Sequence, residues 1–252
     1  MAWINLNAVA VDFPILDGRS MSLKGSAMAF IRNFSRGSNA TKHTRVVPAL
    51  RDLSISFKDG DRIGLIGRNG SGKTTLLRVL AGAYEPTRGE VRICGRVTAL
   101  FDLALGFDLE ATGYDNIYLR GYSMGMNSGT MRGLVPGIAE FTELGDRLND
   151  AVRTYSAGMM LRLAFATSLM SPHEILLLDE VIGAGDAAFL AKARNRMSSV
   201  VAQSRILVLA SHALDLVEEM CNKAIYLREG RLAEFGSVHD IVSSYRRDLA
   251  GG

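Results

Sequence analysis

The stretch of sequence that decides the fold is glycine-rich and reads Gly67-Arg68-Asn69-Gly70-Ser71-Gly72-Lys73-Thr74. It matches the pattern G-x-x-x-x-G-K-T in full. The apolar run Arg62–Ile66 before it predicts a short buried strand, and 74–83 after it predicts a helix. A strand, this loop and a helix in that order form the context that a phosphate-binding loop requires.

The residue types in this loop have a physical reason. Glycines let the backbone curl so that successive N–H groups point at phosphate oxygens, and the following helix adds the positive end of its dipole. We expect Lys73 to reach the β- and γ-phosphates of ATP and Thr74 to hold Mg²⁺, with Thr75 beside them in the ATP site.

Two acidic residues follow a second apolar run. Ile175-Leu-Leu-Leu178 predicts a strand of a buried parallel sheet, and Asp179-Glu180 comes at its carboxyl end. An acidic pair that ends a core strand is common on its own. Beside a phosphate-binding loop, we expect Asp179 to hold Mg²⁺ and Glu180 to polarise the attacking water.

Three further segments occur in a characteristic order along the chain. They are Tyr155-Ser-Ala-Gly-Met159, Gly183-Ala-Gly-Asp186 and the strand-ending pair Ser211-His212. They resemble the signature motif, the D-loop and the switch histidine of ABC ATPases. The signature is a variant, because tyrosine, alanine and methionine replace the usual leucine, first glycine and glutamine.

This resemblance implies a mechanism shared between two subunits. Ser156 and Gly158 would bind the γ-phosphate of an ATP held by the other subunit, with Asp186 near the same site. His212 would contact the γ-phosphate, couple its presence to closure of the dimer and take part in catalysis. ATP and Mg²⁺ are the implied cofactors, and a homodimer is the implied assembly. A histidine that ends a strand is otherwise more often structural.

A longer segment resembles one subfamily of the ABC ATPases. Gly106-Phe107, Thr112-Gly113 and Asn116-Ile-Tyr-Leu119 are similar to a segment of ATPases that export O-antigen, capsule and related polysaccharides. The implied function is ATP-driven export of a lipid-linked cell-surface polysaccharide through a transmembrane permease, at the cytoplasmic face of the inner membrane. The polysaccharide would meet this subunit only indirectly.

Two other functions stay open at this point. An ABC ATPase for another cargo, in drug or lipid export or in import, would share the same chemistry. A soluble ABC ATPase acting on ribosomes or DNA usually carries two tandem domains or a long coiled-coil insertion, and this chain carries neither. We therefore expect no nucleic-acid partner.

Asp102 and Phe13 each have a functional and a structural interpretation. ABC ATPases usually place a glutamine in the loop that enters their helical subdomain, but the one glutamine of this chain is Gln203. Asp102 could replace it as an oxygen ligand for Mg²⁺, or could cap a turn. Phe13 stands where the family stacks an aromatic ring on adenine, although it could equally be a core residue.

The charge distribution points to a membrane-proximal partner. The net charge is +3, yet seven basic residues and no acidic one lie between Gly18 and Arg51. Within the insertion 14–46, apolar residues recur on one face of a predicted helix, flanked by basic ones. This helix either contacts lipid or the permease, or packs on its own domain. No apolar run is long enough to span a bilayer.

The expected fold is α/β, a P-loop NTPase core of the ABC type in one domain spanning 1–252. A parallel sheet carries the nucleotide loops, and an antiparallel β subdomain comes from the N-terminal strands and the region 90–103. An α-helical subdomain over 112–170 carries the signature. A hairpin around Glu229-Gly230 and a final helix complete the chain, and we expect no C-terminal carbohydrate-binding domain.

Overall fold

The structure is a computed structural model and describes residues 1–15, 45–101, 106–169, 174–179 and 187–251. The predictions for Asp102, Glu180 and Asp186 lie outside the described residues. So does nearly all of the basic insertion 14–46.

A six-stranded sheet forms the centre of the fold. Its strands are β3 (Arg62–Ile66), β5 (Val97–Leu100), β6 (Ile175–Asp179), β7 (Ile206–Ala210), β8 (Lys223–Arg228) and β9 (Arg231–Ser237). Their order across the sheet is β5-β6-β7-β3-β8-β9, and all neighbours are parallel except β8 and β9, which form the terminal hairpin. The apolar runs of β3, β6 and β7 are buried on both faces, as continuous hydrophobic strands of a parallel sheet are.

A second, three-stranded antiparallel sheet packs beside it. It consists of β1 (Trp3–Ile15), β2 (Arg45–Lys58) and β4 (Arg88–Cys94), with β1 in the middle. The antiparallel subdomain is therefore present, but its predicted extent was wrong at one end. Val97–Leu100 pairs in parallel with Ile175–Leu178 and belongs to the central sheet.

Seven α-helices occur among the described residues. They are α1 (Lys73–Leu80), α2 (Gly113–Ser123), α3 (Ser128–Thr142), α4 (Ala157–Ser168), α5 (Ala187–Gln203), α6 (Leu214–Met220) and α7 (Val238–Gly251). Short 3₁₀ turns at Gly145–Asn149 and Val152–Thr154 connect α3 to α4. In the described part of the chain, no helix combines the length and apolarity needed to cross a membrane.

The core of the described part of the chain divides into three hydrophobic clusters. One fills the space between the two sheets and around α1, and a second covers the other face of the central sheet with α4, α5 and α7. The third lies among α2, α3 and α4, around Ile117, Met131 and Leu163. The helical region thus has a small core of its own next to the sheet.

Candidate functional site

The phosphate-binding loop joins β3 to α1 and wraps around one ammonium group. Lys73 Nζ donates hydrogen bonds to the carbonyl oxygens of Gly67 (2.7 Å) and Arg68 (3.2 Å). The lysine is buried, with 8% of its surface exposed. The loop therefore concentrates a positive charge at the first turn of α1, where the helix dipole is also positive.

Glycine is required at Gly72 for two reasons. Its φ of 104° lies in the left-handed region, and a Cβ there would come within 2.8 Å of the Ala49 carbonyl oxygen. The turn between β8 and β9 supports the loop from the other side, because the Gly230 N–H donates to the Ser71 carbonyl (3.0 Å). The loop is thus held by β2 and by the terminal hairpin, two elements distant in sequence.

The side chain of Ser71 fits a phosphate ligand. Its hydroxyl oxygen is buried and has no hydrogen-bond partner among the residues that the structure describes. A buried polar group without a partner costs on the order of 1–3 kcal/mol. A phosphate oxygen in the loop would supply the missing partner.

Three parallel strands bring the other site residues to the same edge of the sheet. The order β6-β7-β3 places the carboxyl ends of these strands side by side. Asp179 ends β6, His212 follows β7, and the phosphate loop follows β3. This edge is where open α/β sheets bind ligands.

Two of the predicted metal ligands meet directly. The Thr74 hydroxyl donates to Asp179 Oδ2 at 2.9 Å, and Asp179 is half-buried. This pair of hard oxygen donors fits Mg²⁺, which takes one or two protein oxygens and completes its shell with water and substrate phosphates. Within the described ranges, no group of three or more His, Cys, Asp or Glu side chains could hold a metal by itself.

Phe13 lies near the end of β1, with 37% of its surface exposed. The rings of Phe13 and Tyr84 pack edge to face, with 5.4 Å between their centroids. Tyr84 is in turn held by Arg78 of α1, whose Nη1 donates to the tyrosine hydroxyl at 3.0 Å. Phe13 is therefore partly open and linked to the loop helix; its adenine-stacking role stays a prediction.

The signature residues stand at the N-terminus of α4 and face outward. Ser156 is the N-cap, and its hydroxyl oxygen accepts from the Met159 N–H at 3.2 Å. Both Ser156 and Gly158 are exposed. An exposed helix N-terminus with a serine and a glycine can approach a phosphate closely.

The first residue of the signature, Tyr155, is anchored in the helical region. The Tyr155 hydroxyl donates to the Arg147 carbonyl oxygen at 2.8 Å, and burial raises the pKa of this phenol. A Cβ at Gly113 would collide with the Tyr155 hydroxyl and lie 2.8 Å from Leu148 Cδ2. Tyr155, which replaces the usual leucine of the signature, thus requires a glycine at position 113.

Asn116 holds the loop before α2 in place through buried hydrogen bonds. It is 1% exposed, and its side chain bonds the backbone N–H and C=O of Asp108 (both 2.8 Å) and the Thr112 carbonyl (2.9 Å). Thr112 caps α2 through a reciprocal bond pair with Asp115. These bonds fix the loop from 108 to 112 on α2. The sequence singled out this asparagine only through the resemblance, since its bonding role depends on the folded loop.

We expect Gly113→Ala to destabilise the protein by about 1–3 kcal/mol, because the added methyl overpacks the contact with Tyr155 and Leu148. The displacement should also move the signature and lower ATP turnover. Denaturant unfolding and a steady-state ATPase assay measure the two effects. Gly133→Ala is the matched control, because a Cβ at Gly133 in α3 would meet no described residue within 4 Å and alanine favours a helix. Equal stability of the two variants would contradict the expectation.

With this geometry established, comparison with known proteins decides the family. A family model described as "ABC transporter" matches residues 50–183. The chain belongs to the ABC transporter family. The match spans the phosphate loop, the signature and Asp179-Glu180, on which the resemblance was based, and confirms it.

Curated relatives from this family have names that also confirm the narrower resemblance. The O-antigen export system ATP-binding protein RfbE of Yersinia enterocolitica is 40% identical, over 90% of this chain and 94% of that protein. RfbB of Myxococcus xanthus is 33% identical over 98% of this chain, and the teichoic acids export ATP-binding protein TagH of Listeria innocua is 39% identical over 78%. This chain spans only 57% and 58% of the length of these last two proteins.

Solved structures of ABC proteins share the fold. The structure of an ATP-binding subunit of an ABC transporter superposes with a TM-score of 0.69 at 19% identity, covering 96% of this chain and 92% of that one. A dimeric post-hydrolysis state of the ATP-binding cassette MJ0796, bound to ADP and Pi, gives 0.68 at 18% identity, covering 93% and 98%. The predicted P-loop ABC fold is thereby confirmed.

Proposed function

We propose that this chain is the ATP-hydrolysing subunit of an ABC transporter that exports a lipid-linked cell-surface polysaccharide. The observation that carries the chemistry is the meeting of Thr74 and Asp179 at 2.9 Å beside the buried ammonium of Lys73. The cargo is supported by the names of the relatives, which export O-antigen or teichoic acids.

The proposed division of labour at one ATP site follows from charge. Lys73 and the N–H groups of the loop bind the β- and γ-phosphates, whose negative charge they offset. Thr74 and Asp179 hold Mg²⁺, which when bound neutralises charge on the same phosphates. Glu180 accepts a proton from the attacking water, and Asp102 is a further candidate ligand.

The exposure of the signature supports a site shared by two copies. Ser156 and Gly158 of one copy would cover the γ-phosphate bound by Lys73 of the other, with His212 and Asp186 at the same junction. A two-fold axis would then create two equivalent sites, as closed homodimers have isologous interfaces. ATP binding would close the dimer, and hydrolysis would let it reopen.

The transporter also needs a transmembrane permease, to which this subunit would bind at the cytoplasmic face of the inner membrane. The basic stretch from Gly18 to Arg51 supports this location. Each Lys or Arg near an anionic membrane surface contributes roughly 1 kcal/mol of attraction. We expect contact through this stretch, with either lipid headgroups or the permease.

A test in cells separates this function from its alternatives. Deleting the gene should leave a lipid-linked glycan on the cytoplasmic side and remove the polysaccharide from the surface. The wild-type gene should restore export, whereas Glu180→Gln should not, because it binds ATP without turnover. An unchanged surface glycan would point to another cargo. Co-sedimentation with ribosomes, without a co-purifying membrane protein, would contradict a transport role.

A further inference from the structure

One carboxylate outside the ATP site joins three helices. Glu143 follows α3 and forms two ion pairs, with Arg162 Nη1 of α4 at 2.9 Å and with Lys192 Nζ of α5 at 2.8 Å. Each of its two oxygens takes one partner. The hydrogen bond and charge of Lys192, aided by those of Arg162, hold the pKa of this carboxyl below its usual range.

The same two cations also bind the end of α3 itself. Lys192 donates to the Phe141 carbonyl at 3.3 Å, and Arg162 lies 3.4 Å from the Thr142 carbonyl. Both groups therefore satisfy carbonyls that the end of a helix leaves without intrahelical partners. One carboxylate, two cations and two backbone carbonyls therefore meet at the end of α3.

An aromatic cluster underlies the ion pairs. Phe141 of α3, Phe165 of α4 and Phe189 of α5 have mutual ring-centroid distances of 5.8–6.1 Å. The Arg162 guanidinium lies 4.8 Å from the Phe189 ring centre, and Lys192 Nζ lies 4.9 Å from that of Phe141. Cations over ring faces add attraction to the ion pairs. The three helices are thus held together both by packing of these aromatic rings and by the two ion pairs of Glu143.

The backbone at Glu143 has a conformation that glycine adopts most easily. Its φ is 57°, the left-handed conformation that closes α3. Glycine is the usual residue at such a helix end, since a side chain there costs about 1 kcal/mol. A glutamate at this position gives up that stability and gains the two ion pairs.

The helices that Glu143 joins both border site residues. Helix α4 begins directly after Ser156 and carries Gly158, and Arg162 lies on its next turn. Helix α5 begins at Ala187, directly after 180–186 in the sequence, which includes Glu180 and Asp186. The carboxylate therefore connects the helix that presents the signature with the helix that follows the catalytic segment.

We propose that Glu143 is a positioning residue for ATP hydrolysis, which holds the signature helix α4 in a fixed relation to α5. The inference rests on the proposed shared ATP site, because only then does the placement of α4 affect turnover at the partner's nucleotide. Binding of ATP to the phosphate loop of the same chain does not involve α4. Loss of the carboxylate therefore lowers kcat and the affinity of the ATP-bound dimer, and leaves nucleotide affinity unchanged.

The test uses two substitutions in the full chain, of which only one changes the backbone strain. Glu143→Gln keeps the size of the side chain and removes its charge, whereas Glu143→Gly also relieves the left-handed backbone. Both should lower kcat on the order of tenfold, since small misplacements of catalytic groups have large effects. The Kd of a fluorescent ATP analogue without Mg²⁺ should stay within about twofold of wild type. Glu140→Gln, an exposed glutamate in the last turn of α3, is the matched control and should change neither value.

Two further measurements separate a positioning role of Glu143 from a merely structural one: the melting temperature, and the turnover of a variant in which two charges are exchanged. Glu143→Gly should keep or raise the melting temperature while kcat falls, whereas a structural role predicts that activity follows stability. Glu143→Lys combined with Lys192→Glu should recover turnover relative to Glu143→Lys alone, because the ion pair is restored in reverse. A double variant no more active than the single one, or wild-type kcat in both Glu143→Gln and Glu143→Gly, would overturn the proposal.

A Glu180→Gln background distinguishes this inference from the proposed function. If Glu180→Gln alone forms no ATP-dependent dimer on size exclusion, the shared site itself is wrong. If it does dimerise, adding Glu143→Gln should reduce the dimer fraction at a given ATP concentration. Undiminished dimerisation of the double variant would refute the role of Glu143 and leave the shared site intact.

Discussion

Replacing Lys73 with alanine is expected to reduce the ATP turnover of the full chain by at least about 100-fold. Its ammonium is the buried positive charge at the centre of the phosphate loop, in contact with the Gly67 and Arg68 carbonyls. Charges already in place for the transition state are worth several kcal/mol in a water-poor site. A steady-state phosphate-release assay measures the loss.

The control for this substitution is another lysine on the same domain. Lys58 is exposed at the end of β2, and Lys58→Ala should leave turnover within about twofold of wild type, as surface changes generally do. Circular dichroism should show both variants folded. Turnover of Lys73→Ala within tenfold of wild type would mean that the loop does not bind the reacting phosphates.

Replacing Gly158 with aspartate is expected to reduce turnover on the order of 100-fold by a different route. Among the described residues, a Cβ at Gly158 meets only Ser156 Oγ, at 3.9 Å, and an acid in the first turn of a helix favours the helix. The fold should therefore tolerate the side chain. Its charge would repel the γ-phosphate held by the facing subunit, and the dimer should fail to close around ATP.

Gly158→Ala is the matched control, because it adds the same Cβ without the charge. It should retain far more turnover than Gly158→Asp. If the two variants were equally impaired, close backbone approach would be the cause and repulsion would not. If Gly158→Asp were fully active, α4 would not face a phosphate at all.

Mixing the two inactive variants tests the shared site directly. In a mixed dimer of Lys73→Ala and Gly158→Asp chains, one site carries both defects and the other carries neither. Random pairing makes half of the dimers mixed, so about a quarter of wild-type turnover should return. No recovery after mixing would contradict a site built from two chains.

Local patterns predicted most of the elements that carry the chemistry. The strand Arg62–Ile66 has its predicted bounds, and a strand, Ile206–Ala210, ends directly before Ser211-His212 as expected. Buried parallel strands are short apolar runs whose ends are marked by polar residues. The helix after the phosphate loop is shorter than predicted and ends at Leu80, because Gly82 adopts a left-handed conformation just beyond it. Turn glycines and strand patterns are local properties, which is why the sequence shows them.

The misplaced strand has a non-local cause. Val97–Leu100 is four residues long, and nothing within it distinguishes an antiparallel from a parallel edge. Its partner, β6, lies more than 70 residues further along the chain. Its pairing depends on which sheet edge is open after the rest has folded, so the pattern around Glu90 alone was misleading.

The sequence by itself determined the chemistry of this protein: a phosphate loop, an acidic strand end and a variant signature, each recognisable because a short motif needs fixed residue types at fixed spacing. Tertiary structure alone decided how these parts meet. It placed Thr74 against Asp179, set Gly113 under Tyr155, and brought Arg162 and Lys192 to one carboxylate at Glu143. Such contacts join residues tens of positions apart, and their existence depends on strand order and helix packing, which no local pattern encodes.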